Sequence, residues 1–149
     1  MSTVLHLEPV GGIAGDMLCA ALIDLGADLE AIRCALDLLP VDGLSVNVEP
    51  VQRGPFAASL FTVCAPEEGH PHRTWSTIRS MLNDSPLHPR VRLRALGVFG
   101  KLAEAEAHVH GIAIDDVHFH EVGAWDSIAD IVGACVALET LEVEEIISA

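Results

Sequence analysis

Apolar and polar positions repeat with two different periods along this chain. Residues 3–10 alternate by two, with Leu5 and Leu7 on one face and Val4, His6 and Glu8 on the other, which predicts a strand. Gly11, Gly12 and Gly15 then make a tight turn into a helix over residues 14–25, with Gly26 behind it as a C-cap. A second helix is predicted over residues 29–39, opened by Asp28 and stopped by Pro40. Residues 44–52 and 56–65 read as strands, and the turn Arg53-Gly54-Pro55 between them predicts an antiparallel hairpin. After a polar loop over residues 66–73 the period becomes helical again. It gives a short helix over 74–81, a linker, a long helix over 90–109 closed by Gly111, and a helix starting near residue 125; residues 142–148 read as a final strand. The order β-α-α-β-β-α-α-α-β predicts one α/β domain over residues 1–149, built as a mixed sheet of about four strands covered by helices. The first and last strands can lie parallel only through helical crossovers.

The helix that starts near residue 125 is unusual. Ile128, Ile131, Val132, Val136, Leu138 and Leu141 cover most of its circumference, so it should be buried. Yet Asp126 and Asp130 lie four apart on one face, which continues through Gly133 and Ala137. Buried carboxylates need a partner: a hydrogen bond, an opposite charge or a metal. Just ahead of them stand His118 and His120, two apart and so on one side of an extended segment, followed by Glu121. Placing Leu96, Phe99, Leu102 and Ala103 of the long helix toward the core puts Glu106 and His110 on the same stripe, a few residues before that motif. Imidazole and carboxylate together suit nickel, zinc, copper or iron. The competing reading makes Asp126 a helix N-cap, Asp130 a satisfied hydrogen-bonder, the histidine pair a surface turn and His110 a complement to the helix dipole. His70 and His72 form a second His-x-His in the polar loop, where histidines so spaced are usually solvated.

The glycine turn can present backbone N–H groups to an anion at a helix N-terminus. It lacks the Walker lysine, however, and Asp16 would repel a phosphate unless a metal bridged the two. Otherwise the glycines permit close packing and Asp16 complements the helix dipole.

With 8 basic against 22 acidic residues the net charge is −14, which argues against nucleic acid and anionic membrane surfaces and suits a cation. There is no tyrosine, so the core must be built from Leu, Val, Ile and Ala. Cys19, Cys34, Cys64 and Cys135 form no Cys-x-x-Cys pair. They read as reduced, and the lack of a signal peptide or membrane span predicts a cytoplasmic protein.

Three stretches are recognisable: VHFHEVGAWDSIADIVGA at 117–134, GGIAGDMLCAALIDLGA at 11–27 and LAEAEAHVHG at 102–111. Together they resemble the family of nickel-insertion proteins that complete the nickel-pincer cofactor of lactate racemase, over nearly the whole chain and as that family's amino-terminal portion. The resemblance implies a nickel chelatase of the lyase class. It would place Ni2+ between the sulfur atoms of a pyridinium dithiocarboxylate mononucleotide, consuming CTP with a divalent cation. Against that family the carboxy-terminal nucleotide-binding portion is absent, which leaves three readings open: one half of a split protein whose carboxy-terminal half is separate, a fragment, or a carrier that only binds nickel. His118, His120, Glu121, Asp126 and Asp130 match the family's most distinctive motif, Gly15, Asp16 and Met17 its amino-terminal one, and Glu106 and His110 the third. The metal set is then His118, His120, Glu121, Asp126, Asp130, Asp16, Glu106 and His110, with Gly11, Gly12 and Gly15 against the substrate. Glu8 and Gly11-Gly12 depart from the family, which usually has an aspartate and then Ser-Gly there. The alternatives are a nickel or zinc carrier without turnover, a metal-dependent phosphohydrolase, and a purely structural cluster.

Overall fold

Helix α5 (Trp125–Thr140) is the axis on which three of the other helices pack, and its sequence explains why. It buries Trp125, Ile128, Ala129 and the unbroken run from Val132 to Leu138. Helices α1 (Gly15–Asp24), α2 (Leu29–Leu36) and α4 (Pro89–His110) all lie against it. Gly133 marks a point where α1, α2 and the strand carrying Phe61 converge on it: a Cβ there would meet Cys19 Sγ and Ile32 at 3.5 Å and Phe61 at 3.8 Å. The structure, a computed structural model, describes residues 2–68 and 72–149; His70 of the second His-x-His lies outside the described residues.

The remaining elements are β1 (Thr3–Leu7), β2 (Ser45–Arg53), β3 (Phe56–Cys64), β4 (Arg73–Thr74), α3 (Trp75–Asp84), a 3-10 turn (Ile114–Asp116), β5 (His118–Phe119) and β6 (Val143–Ser148). Local signals set most boundaries. Asp28 accepts the N–H groups of Glu30 and Ala31 at the start of α2, and Thr74 accepts that of Thr77 at the start of α3. α4 begins on Pro89 and stops at Gly111, which takes the left-handed φ of 63° that a side chain disfavours. α2 ends at Leu36, short of Pro40, because the chain already turns at residues 37–40.

The α/β class, the parallel pairing of β1 with β6 and the antiparallel β2/β3 hairpin are as expected from the sequence. The single mixed sheet of about four strands is not. Among the described residues three two-stranded sheets form instead: β1 with β6, β2 with β3, and β4 with β5. The reason lies in the helices. β3 packs on α1 and α5, burying Phe61, so helices occupy the space through which the hairpin would pair with β1. Strands β4 and β5 have two residues each, too few to show any period. Among the described residues, no helix is long and apolar enough to cross a membrane.

A candidate metal centre

The segment after the 3-10 turn alternates as its sequence requires. Val117 and Phe119 are buried, and His118 and His120 are exposed. Phe119 sits on Phe99 of α4, ring centroids 6.1 Å apart, and this inward anchor turns both flanking imidazoles outward. The segment is pinned from the other side by β4. Trp75 N–H donates to the Val117 carbonyl at 3.0 Å, and the Arg73 guanidinium donates to the Gly123 carbonyl at 2.6 Å while lying 4.3 Å over the Trp125 ring. Gly123 makes this fold-back possible, since a Cβ there would stand 2.8 Å from the Phe119 carbonyl oxygen.

His118 and His120 line an open cleft of about 320 Å³ together with Glu106, His110, Ile112, Asp116 and Val117. The core stripe of α4 therefore does deliver Glu106 and His110 to the histidine motif. Those two are paired, Nε2 to Oε2, at 3.2 Å. Asp116 is a lining residue that sequence reasoning passed over; its signal was the acidic pair Asp115-Asp116 directly ahead of the motif. His72, left in the loop, lies against His120. Glu121 does not line this cleft; it is exposed, and its backbone carbonyl accepts Ala124 N–H at 3.1 Å and Ser127 Oγ–H at 3.4 Å.

The aspartates gather elsewhere, where α1 meets α5. Gly15 leaves room for Asp130 to press against the first turn of α1. Asp16 and Asp126 stand in the first turns of their helices, but Ala14 and Ala124 occupy the N-cap positions, so Asp126 is not a cap. Asp16 accepts the N–H of Met17 and Asp126 that of Ser127. Asp130 Oδ1 is buried and meets no hydrogen-bond donor among the described residues. Burial, then the charges of Asp16 and Asp126, push its carboxyl from 3.8 up to about 6. Asp130 is thus not the satisfied hydrogen-bonder that the competing reading required. Among the described residues no three His, Cys, Asp or Glu side chains stand close enough to hold one ion between them.

This shift has a measurable sign. The folded state binds the Asp130 proton more tightly than the unfolded chain, so the group's contribution to stability is complete below about pH 4 and is lost as pH rises through about 6. A rise of that size corresponds to about 3 kcal/mol at most, and the solvent-facing part of the carboxylate reduces it to about 1–2 kcal/mol. In chelator, Asp130→Asn is expected to exceed the wild type by that amount at pH 8 and to match it near pH 4. Urea unfolding at both pH values is the check, and a margin that does not change with pH would refute the assignment.

Gly11 and Gly12 form the turn before α1 with φ of 84° and 100°, values open to glycine. The thiols take no part in either group. Burial and the nearby Asp130 charge push Cys19 up to about 12, burial pushes Cys135 up to about 11, and Cys34 and Cys64 are exposed. Raised thiols of this kind are inert.

The profile of the family described as nickel insertion protein matches residues 5–149. The pyridinium-3,5-bisthiocarboxylic acid mononucleotide nickel insertion protein of Staphylococcus saprophyticus is 47% identical over 146 residues, 98% of this chain. Relatives carrying the name nickel insertion protein in Roseiflexus castenholzii and Myxococcus xanthus are 47% and 49% identical, over 98% and 95% of the chain. The chain spans 37% of the length of each of these three relatives. No solved structure gives a significant match. Matched by the family profile over residues 5–149 and 47% identical to a relative across 98% of its own length, the chain belongs to the nickel insertion protein family.

Proposed function

We propose that this chain takes up Ni2+ as cargo and presents it to a pyridinium-3,5-bisthiocarboxylic acid mononucleotide, which receives the ion between its two sulfur atoms. The observation that carries this reading is a cleft lined by three histidines, a glutamate and an aspartate in a chain 47% identical to a relative named for that insertion. His118, His120, His110 and Glu106 are the residues that would hold the ion, drawn together by it from their separate positions. Imidazole and carboxylate donors are harder than the substrate's sulfur atoms, so transfer to the substrate runs from harder to softer ligands. Capture would follow the ordinary stability order of the metals, in which copper binds more tightly, so geometry and supply must set the choice of nickel.

The three aspartates suit a different ion. An all-oxygen set with one buried, unpartnered oxygen fits a hard divalent cation such as Mg2+ or Mn2+, which would neutralise the repulsion among Asp16, Asp126 and Asp130. Such a cation, when bound, supplies positive charge for phosphate groups beside the turn at Gly11, Gly12 and Gly15. CTP consumption and nucleotide binding belong, on this reading, to the further portion that the longer relatives carry, in the reducing cytoplasm.

The lining of nitrogen and oxygen donors also fits one second reading, a nickel carrier domain that binds without turnover. Two measurements separate the readings. Equilibrium titration with Ni2+ is expected to show binding that falls about 10-fold or more, 1.4 kcal/mol, in the His118→Ala/His120→Ala double variant. Supplied with a relative's remaining portion, CTP, Ni2+ and the mononucleotide, the chain is expected to yield metallated product. Binding without product under those conditions leaves the carrier; neither binding nor product sinks the nickel assignment.

A further inference from the structure

The ladder between β4 and β5 sets Arg73 opposite Phe119 and Thr74 opposite His118. Continued by one residue, the same antiparallel register brings His72 opposite His120. Their Nδ1 atoms stand 3.1 Å apart, with ring centroids 4.9 Å apart and ring planes at 84°. Two neutral imidazoles so placed can share a proton, one donating its Nδ1–H to the bare Nδ1 of the other. They can equally share an ion. With metal–nitrogen bonds of about 2.0–2.1 Å, two neighbouring nitrogen ligands lie roughly 2.9 Å apart at a right angle and roughly 3.4 Å apart at the tetrahedral angle. The observed separation falls between these limits, so the spacing of the two nitrogens already suits a shared ion.

We infer that His72 and His120 form a two-imidazole clamp, through their Nδ1 atoms, for a divalent first-row metal ion at the rim of the cleft. The inference rests on the reading of that cleft as the cargo site and extends it to a residue outside all three recognisable motifs. The chemistry selects the class of ion. Two ring nitrogens suit nickel, copper or zinc, whereas magnesium and calcium require oxygen ligands. Both rings are exposed, so an ion reaches them without any opening of the core. His120 also lines the cleft with His110 and His118, which places the clamp where an arriving ion meets the remaining donors. The pair joins segments 48 residues apart, so the bound ion would also tie β4 to β5.

The test is titration of the 149-residue chain with Ni2+, with Mg2+ as control, for the wild type, His72→Ala, His72→Gln and His118→Ala, folding being checked by circular dichroism. Glutamine can still hydrogen-bond across the ladder to His120 but offers no imidazole. Both His72 variants are expected to bind Ni2+ at least 10-fold more weakly, with the response to Mg2+ unchanged. Loaded with Cu2+ as a spectroscopic probe, they are expected to lose one coordinated nitrogen in electron paramagnetic resonance. If folded His72→Gln binds like the wild type while His118→Ala does not, the clamp is wrong and the cleft reading stands. A wild type that binds no Ni2+ overturns both.

Discussion

Phe119→Ala is expected to destabilise the fold by about 3–5 kcal/mol, the range for emptying a buried aromatic site. Phe119 is 2% exposed and its ring lies against Phe99, which is 0% exposed, so neither neighbour can collapse into the space without disturbing α4. A domain of this size has about 5–15 kcal/mol in hand, and the loss is a large part of it. The variant should also weaken Ni2+ binding although it removes no ligand, because Phe119 is what sends His118 and His120 to the same outward side. Phe119→Leu keeps an apolar anchor and should lose less of both. Urea unfolding with an unchanged slope, set beside a Ni2+ titration, tests the coupling. A folded Phe119→Ala chain that binds nickel as the wild type does would show that the imidazoles are positioned by something else.

Gly15→Ala is expected to cost about 2 kcal/mol, in the range of 1–3 kcal/mol for overpacking. A Cβ at this position would stand 2.8 Å from Asp130 Cβ and 2.9 Å from Asp130 Oδ2, closer than carbon atoms approach. The carboxylate end can rotate, but Cβ moves only with the α5 backbone, so α1 and α5 must part. That separation also stretches the bond from the Cys19 thiol to the Asp130 carbonyl, now 3.3 Å. The natural control is Gly97→Ala in the interior of α4, where an added Cβ meets nothing within 4 Å. There the gain in helix propensity should stabilise by about 0.5–1 kcal/mol. Opposite signs for the two glycines in thermal unfolding are the expected result. Equal effects would mean that Asp130 does not occupy the notch at Gly15.

Much of this architecture is legible in the sequence, because its long elements carry their own period. The near-continuous apolar circumference of α5, with Asp130 set into it, announces a buried helix holding a carboxylate. The stripe ending in Glu106 and His110 likewise points at the cleft those residues line. Three features are less accessible, each for a physical reason. The number of sheets depends on whether helices stand between the strands, and strand pattern says nothing of that. The partnership of His72 with His120 is fixed by a two-residue ladder whose strands are too short to show alternation. Of the eight proposed metal ligands, four line the α4–β5 cleft, three gather in the α1–α5 notch and Glu121 joins neither, because the helix following it turns Asp126 and Asp130 toward α1. Sequence adjacency hides that turn.

The β4/β5 ladder has a kinetic meaning as well. It consists of two residue pairs, Arg73 with Phe119 and Thr74 with His118, and two-stranded pairings of this kind are marginal by themselves. Short ladders open locally at a small fraction of the free energy of global unfolding. If His72 and His120 grip the cargo from opposite strands, each such opening loosens one of its ligands. The dwell time of the ion would then follow the breathing of a four-residue backbone contact as well as the strength of its metal–nitrogen bonds. On that reading of the cleft, ligands that loosen with the ladder favour release of the ion, whereas a rigid holder of equal affinity would retain it.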